Sequence, residues 1–380
     1  MINGILATIA LGIWTYLLTV HGRFWLGTER DDAPVADPET WPDVVAVVPA
    51  RDEAENIAEC IRSLVAQDYP GKFRAVLVDD NSTDNTAGIA RAAAHGSTRL
   101  EVVTGQPLAL GWTGKLYAVK QGIEAAEADG SPRYILLTDA DIAHTPDSVR
   151  WLVAFAEKRG NVLTSFMAKL RCETLAERIH IPAFIFFFQM LYPFPWVNRR
   201  ESPMAAAAGG CMLVRADALK AAGGIDVIRG ALIDDCSLGA VMKKQGPIWL
   251  GLTDRAHSIR PYDFADCRKM VARSAFAQLK FSYVLLLGTV LGMAMTYLVP
   301  PVVTIIGSGG GQLMAAAAWG MMALAFQPTL RFYKMSPLWG LALPGIALLY
   351  SLYTIDSAYQ YLRGRGGAWK GRMQANVAQQ

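Results

Sequence analysis

Apolar residues run without a charge over residues 2–20, recur as short runs between polar stretches over 43–280, and close up again at about 282–306, 312–330 and 338–358. The first run is long enough to cross a bilayer and predicts a membrane-spanning helix. It lacks the basic start and small-residue cleavage site of a signal peptide, and His21, Arg23 and Arg30 follow it. Residues 1–22 therefore read as an uncleaved anchor whose C-terminal side is cytoplasmic by the positive-inside bias. A Pro- and Asp-rich linker follows over 31–42. The late runs are separated by Gly307-Ser308-Gly309-Gly310-Gly311 and by Arg331-Phe332-Tyr333-Lys334, and predict a C-terminal transmembrane region over 281–362 with a basic tail over 363–380. If all three crossed, Arg331 and Lys334 would fall inside but the tail outside. That conflict predicts that one late segment is re-entrant or interfacial, with Pro300-Pro301 and Pro344 as breaks, without saying which.

The middle block, 43–280, alternates strand-like and helical patterns, as in an open, mostly parallel sheet. Val44-Val45-Ala46-Val47-Val48, Ala75-Val76-Leu77-Val78 and Tyr134-Ile135-Leu136-Leu137 are predicted strands, and apolar positions 57, 61, 64 and 65 predict a helix over 54–67. Two strands run into acidic turns, Asp79-Asp80-Asn81-Ser82 and Asp139-Ala140-Asp141, and a third acidic pair is Asp234-Asp235. Ligands of such sheets bind outside the carboxyl ends of the strands, where these carboxylates fall.

Composition adds the setting. With 52% hydrophobic and 18% charged residues in 380, the chain predicts an integral membrane protein. A net charge of +3 with scattered basic residues gives nucleic-acid binding no support. Five cysteines without a CxxC pair suit a reducing, cytosol-facing compartment rather than a disulfide framework.

Val48-Pro49-Ala50-Arg51-Asp52-Glu53, Val78-Asp79-Asp80-Asn81-Ser82-Thr83-Asp84, Thr138-Asp139-Ala140-Asp141, Gly209-Gly210-Cys211-Met212-Leu213-Val214-Arg215 and Ile233-Asp234-Asp235-Cys236 follow one another as in family-2 inverting glycosyltransferases. With the anchor and the apolar C-terminal third, the chain most resembles the hopene-associated membrane glycosyltransferases and, more distantly, ceramide glucosyltransferases. The resemblance implies an α/β, GT-A-like sheet with helices on both faces and transmembrane helices at both ends. It also implies a UDP-sugar donor, a magnesium or manganese ion, a lipid acceptor such as a hopanoid, and a bacterial-type inner membrane with the catalytic domain cytoplasmic.

The resemblance assigns roles to residues. Asp141, with Asp139, would hold the metal; Asp79 and Asp80 with Ala50, Arg51 and Glu53 would hold uridine and ribose; Asp235 would be the general base, beside Asp234 where Glu is commoner. Lys115 matches a family Gly-Lys and would reach the donor, although Gly111-Trp112-Thr113-Gly114-Lys115 fails the Walker pattern at Ala109 and Leu116. Only Arg273 survives of an Arg-Trp signature, as a diphosphate contact or as a structural or headgroup-binding residue. Taken singly, the acidic turn at 79–82 reads as an Asx turn, Asp234-Asp235 as a helix cap and Lys115 as a solvated loop residue. Residues 179–197, rich in Phe with Pro182, Pro193 and Pro195, suit an interfacial element that meets the acceptor lipid, or else a buried core helix. Two rivals remain: a polysaccharide synthase of the same fold and a non-catalytic membrane scaffold that binds nucleotide or lipid.

Overall fold

The computed structural model describes residues 2–364; the tail beyond Gly364 lies outside the described residues. Eight strands are β1 (Val44–Ala50), β2 (Phe73–Asp79), β3 (Leu100–Thr104), β4 (Tyr134–Thr138), β5 (Ile142–His144), β6 (Leu163–Lys169), β7 (Cys211–Arg215) and β8 (Ile248–Ser258). The α-helices are α1 (Ile2–Thr19), α2 (Ile57–Val65), α3 (Thr86–Ala93), α4 (Gly114–Glu127), α5 (Ser148–Arg159), α6 (Leu175–Leu191), α7 (Phe194–Val197), α8 (Ala216–Ala221), α9 (Asp234–Lys243), α10 (Phe264–Ala272), α11 (Ala275–Gln278), α12 (Tyr283–Met293), α13 (Val299–Ile306), α14 (Gly309–Phe332) and α15 (Leu343–Leu362).

The described residues divide into two compact units, one holding Glu29–Arg171 and Trp196–Pro261, the other residues 2–28, Cys172–Pro195 and residues 262–364. The polar block expected as one domain over 43–280 is therefore interrupted. Residues 172–195 and 262–280 group with the terminal helices, because their apolar side chains pack there and not on the sheet.

In the first unit the sheet runs β3-β2-β1-β4-β7-β6-β8-β5. Its β3-β2-β1-β4 half is parallel, whereas β7 is antiparallel to both β4 and β6, and β5 to β8. All seven residues of β1 are buried, as a strand covered on both faces must be. Val44, Ala46 and Val48 join a core with Ile57, Ile61 and Leu64 of α2 and with Val149 and Leu152 of α5. On the opposite face α4 comes close at Gly122, where a Cβ would lie 2.3 Å from Val47 Cγ1. The predicted helix over 54–67 begins only at Ile57, because residues before it are spent on the loop that follows β1.

Among the described residues of the helical unit four helices are long and apolar enough to cross a membrane: Ile2–Thr19, Tyr283–Ile306, Gly309–Phe332 and Pro337–Leu362. The second carries a π-helical turn, Ala294–Leu298, directly before Val299-Pro300-Pro301, where two missing N–H groups interrupt the regular ladder. Helices α1 and α14 are parallel: a Cβ on Gly311 would meet Gly4 at 3.1 Å, Thr8 Oγ1 donates to Met314 Sδ at 3.4 Å, and Phe24 and Phe326 both pack on Phe186. Trp14 Nε1 donates to the Thr296 carbonyl at 2.8 Å and Gln312 Nε2 to that of Thr304 at 2.9 Å, so the 283–306 helix runs the other way.

Helix α6 corrects the expectation of an interfacial element. Phe186 is fully buried between the rings of Phe24 and Phe326, and Phe187 packs on Tyr297 and Tyr350. Buried aromatic side chains place this helix in the core of the unit, and these two rings serve its packing.

Candidate active site

The sheet brings the first two acidic clusters side by side. Ala50 pairs with Asp79 across β1 and β2, and Val47 with Leu137 across β1 and β4, so β2 ends level with β1, β4 ends two residues earlier, and both acidic turns leave the same edge of the sheet. Beyond Ala50, Asp52 takes a left-handed φ of 50° and faces the loop after β2. Four bonds lock these loops together. Asp52 N donates to Ser82 Oγ (3.0 Å), Thr83 N to Asp52 Oδ1 (2.7 Å), Ala54 N to Asp84 Oδ2 (2.9 Å) and Glu53 N to Thr86 Oγ1 (2.9 Å). Asp79 Oδ1 accepts from Ser82 N at 3.1 Å, a turn closed three residues on rather than the two of an Asx turn. Asp80 is buried, and Arg51 donates to its carbonyl at 2.5 Å with a guanidinium nitrogen 3.8 Å from its carboxylate. Arg51 and Asp80 thus hold the floor of the loop pair.

Lys115 stands in the first turn of α4, whose N-cap Thr113 Oγ1 accepts from Leu116 N. Its Nζ lies 2.8 Å from Asp139 and 3.1 Å from Asp234, with the lysine side chain only about one-fifth exposed. It is not a solvated loop lysine. Burial alone would lower its pKa, but Asp139 and Asp234 outweigh that and hold the ammonium above its ordinary value. One cation therefore joins the second acidic cluster to the third.

Asp235 is the second residue of α9, and the helix's N-cap is Ile233, which has no side-chain capping bond. The carboxylate instead reaches across the site: Oδ2 accepts from Gly209 N at 3.0 Å and Oδ1 from Cys236 N at 2.7 Å. Burial and the neighbouring Asp234 charge push its pKa up to about 6, against the opposing pull of Lys115 and the two backbone N–H groups. The approach depends on Gly239 one turn on, where a Cβ would lie 2.8 Å from the backbone carbon of Ala206. Gly239→Ala should therefore lower stability by about 1–3 kcal/mol through overpacking, beyond the gain of up to about 1 kcal/mol in helix propensity. A thermal melt that rises would refute that packing.

Asp141 is the most strained charge of the site. Burial, then Asp139 and Glu53, raise its pKa to about 7, while Arg260 and Lys115 oppose the rise. Among the described residues no three His, Cys, Asp or Glu side chains form a ready metal cage. The donor set nevertheless fits a hard divalent cation of the magnesium type, which takes one or two carboxylates from protein and the rest from phosphate and water. Arg260 carried no signal in the sequence: it is a single basic residue after β8, placed near Asp141 by the β5–β8 pairing, where Ile259 N donates to the Asp141 carbonyl at 3.0 Å. Gly209 stands in the Gly-Gly motif of the sequence, but nothing there marked its N–H as a donor to Asp235. Arg273 falls in the helical unit, exposed at the end of α10.

Residues 45–223 match the family described as Glycosyl transferase family 2. That stretch is similar to a family 2 glycosyltransferase domain. That domain includes Ala50, Arg51, Glu53, Asp79, Asp80, Lys115, Asp139 and Asp141 and ends before Asp234 and Asp235. The chain is 27% identical over 174 residues to a beta-monoglucosyldiacylglycerol synthase of a Synechocystis species, covering 39% of this chain and 35% of that protein. It is 35% identical over 117 residues to an undecaprenyl-phosphate 4-deoxy-4-formamido-L-arabinose transferase of Shewanella sediminis, covering 30% and 33%. The chain thus spans about a third of the length of these two relatives. A solved mannosyltransferase from Pyrobaculum calidifontis, in complex with GDP-mannose and manganese, superposes with a TM-score of 0.56 over 95% of this chain and 99% of its own, at 18% identity. The glycosyltransferase domain accordingly has a GT-A-like α/β fold.

Proposed function

We propose that this protein is a membrane-bound, inverting, metal-dependent glycosyltransferase that moves one sugar from a UDP-sugar to a hydroxyl of a lipid, a hopanoid being the acceptor its resemblance favours. The observation that carries the reading is the convergence of three carboxylate clusters, with Lys115 bridging Asp139 and Asp234. Four apolar helices of spanning length and the two lipid-directed relatives support a lipid acceptor.

Each residue then has a separable task. The interlocked loops after β1 and β2 present Ala50, Arg51, Glu53, Asp79 and Asp80 to the nucleoside. A divalent ion held by Asp141 and Asp139 would neutralise charge on the departing diphosphate. Lys115, already fixed between two carboxylates, adds a point charge near that leaving group. Asp235 takes the proton of the acceptor hydroxyl as it attacks the anomeric carbon opposite the diphosphate. Its two oxygens are each held by one backbone N–H, which fixes the carboxylate and leaves lone pairs for that proton. Arg273 is assigned to headgroup contact, since it is exposed on the helical unit.

A base must be ionised, so kcat/KM should rise with pH through about 6 and level off above it. Asp234→Asn removes a charge that raises the Asp235 pKa and should move this limb to lower pH. A limb that stays in place would detach it from Asp235. The substrate assignment is tested by incubating the purified protein with a panel of UDP-sugars and GDP-mannose and a host lipid extract. Mass spectrometry should show a lipid carrying one sugar with release of UDP; growing chains would favour the polysaccharide synthase, and no nucleotide release the scaffold.

A further inference from the structure

We propose that Pro337–Leu362, although long enough to cross, enters and leaves the bilayer on one face and lies along the acyl chains of a single leaflet. The levels are set by contacts within the helical unit. Thr19 ends α1 at the same end at which α14 finishes at Phe332, because the two helices are parallel. Tyr283 starts the antiparallel helix at that end too.

After α14 the chain turns back. Gln327 Nε2 donates to the Pro337 carbonyl at 3.1 Å and to that of Ala323 at 2.8 Å, and a Cβ on Gly340 would meet the Ala323 carbonyl oxygen at 2.9 Å. Gly340 is thus level with Ala323, about 14 Å inside the end of α14 at 1.5 Å per residue. That is roughly half of a 30 Å hydrocarbon core. The returning α15 does not continue to the far side. Tyr350 packs on Phe187 beside Tyr297, Asp356 pairs with Arg268 at 2.9 Å, and Tyr361 packs on Phe276 and Phe281, next to the start of α12. Both ends of Pro337–Leu362 therefore lie at the same end of the unit. The Gln327 amide satisfies carbonyl groups at the turn, as irregular backbone at membrane depth requires.

Burial along α15 identifies the surface it offers. Leu343, Ile346, Ala347, Tyr350 and Ala358 are buried, whereas Leu348, Leu352, Ile355, Tyr359 and Leu362 are exposed at three- and four-residue spacing, one continuous apolar stripe. Charge selects the lipid leaflet as its occupant. Arg23, Lys280, Arg331, Lys334 and Arg363 are all exposed at this end of the unit, while residues 2–3 and 307–312 at the other end carry no charge. A stripe of apolar residues flanked by cations fits the acyl chains and anionic headgroups of one leaflet. Three crossings and one re-entrant element also place the chain's exit at Arg363 on the basic face, as the positive-inside bias demands.

The test is labelling with a membrane-impermeant maleimide in right-side-out and inverted vesicles. The full chain carries Cys172→Ser, since the other four cysteines are buried, and one new cysteine: Arg331→Cys, Ser308→Cys or Gly364→Cys. Gly364→Cys should label from the same side as Arg331→Cys, and Ser308→Cys from the opposite side. Labelling of Gly364→Cys together with Ser308→Cys, or from both sides, overturns the proposal. A reporter fused after Gln380 and another inserted after Lys334 read the question independently of thiol reactivity. The same compartment for both supports re-entry, and different compartments refute it.

Discussion

Asp235→Asn is expected to stop sugar transfer while leaving donor binding almost intact. The amide has nearly the shape of the carboxylate but cannot accept the acceptor's proton, so turnover should fall by the roughly 10²–10⁴-fold attributed to general base catalysis, or more. Binding of UDP should change by less than about tenfold, or roughly 1.4 kcal/mol, because the donor is assigned to residues of the first two clusters. The structure adds a control. Both carboxylate oxygens accept backbone N–H groups, from Gly209 and Cys236, so Asn must turn its own N–H₂ toward one donor, at a cost of about 1–3 kcal/mol in stability. Calorimetric UDP titration of the variant separates that loss from lost chemistry. A variant that binds UDP and keeps more than a tenth of turnover would move the base to Asp234.

Removing the divalent cation with a chelator should abolish transfer, and Asp141→Ala should do the same at any metal concentration. The two parts of this prediction are linked through stability. The Asp141 carboxyl has a pKa raised to about 7 by burial and by Asp139 and Glu53, so without metal its ionised form disfavours the fold as pH rises past the carboxylate's unfolded value. In chelator at pH 8, Asp141→Ala should melt no lower than the parent, and higher if the cavity is well tolerated. Full activity in chelator would end the metal assignment. Lost activity with a collapsed melting point would instead make Asp141 a structural residue.

Much of this site can be read from residue order because strand ends and acidic turns are local features. Val44–Val48, Ala75–Val78 and Tyr134–Leu137 are apolar runs that could only be buried strands once turn residues followed them, and β1, β2 and β4 contain them. Contacts between distant segments left no such trace. The Asp52–Thr83 lock, the Gly209 donor to Asp235 and Arg260 near Asp141 depend on how the sheet is ordered, and β7 inserts antiparallel between β4 and β6 without a local signal. The aromatic run of α6 misled for the same reason. Phe186 has the composition of a lipid-facing residue and is buried only because Phe24 and Phe326 arrive from remote parts of the chain.

The two close approaches at Gly122 and Gly239 bear on how a saturation mutagenesis of this protein should be interpreted. At both positions the space for even one methyl group is already taken, by the Val47 side chain in one case and the Ala206 backbone in the other. Every substitution there, including the smallest, moves the helix that delivers Lys115 or Asp235, so such a scan would score these glycines as harshly as the carboxylates themselves. Sensitivity to replacement would then mark two classes of position alike, those assigned to the sugar donor and those that set a helix at its distance. Only nucleotide affinity measured separately from turnover would tell them apart.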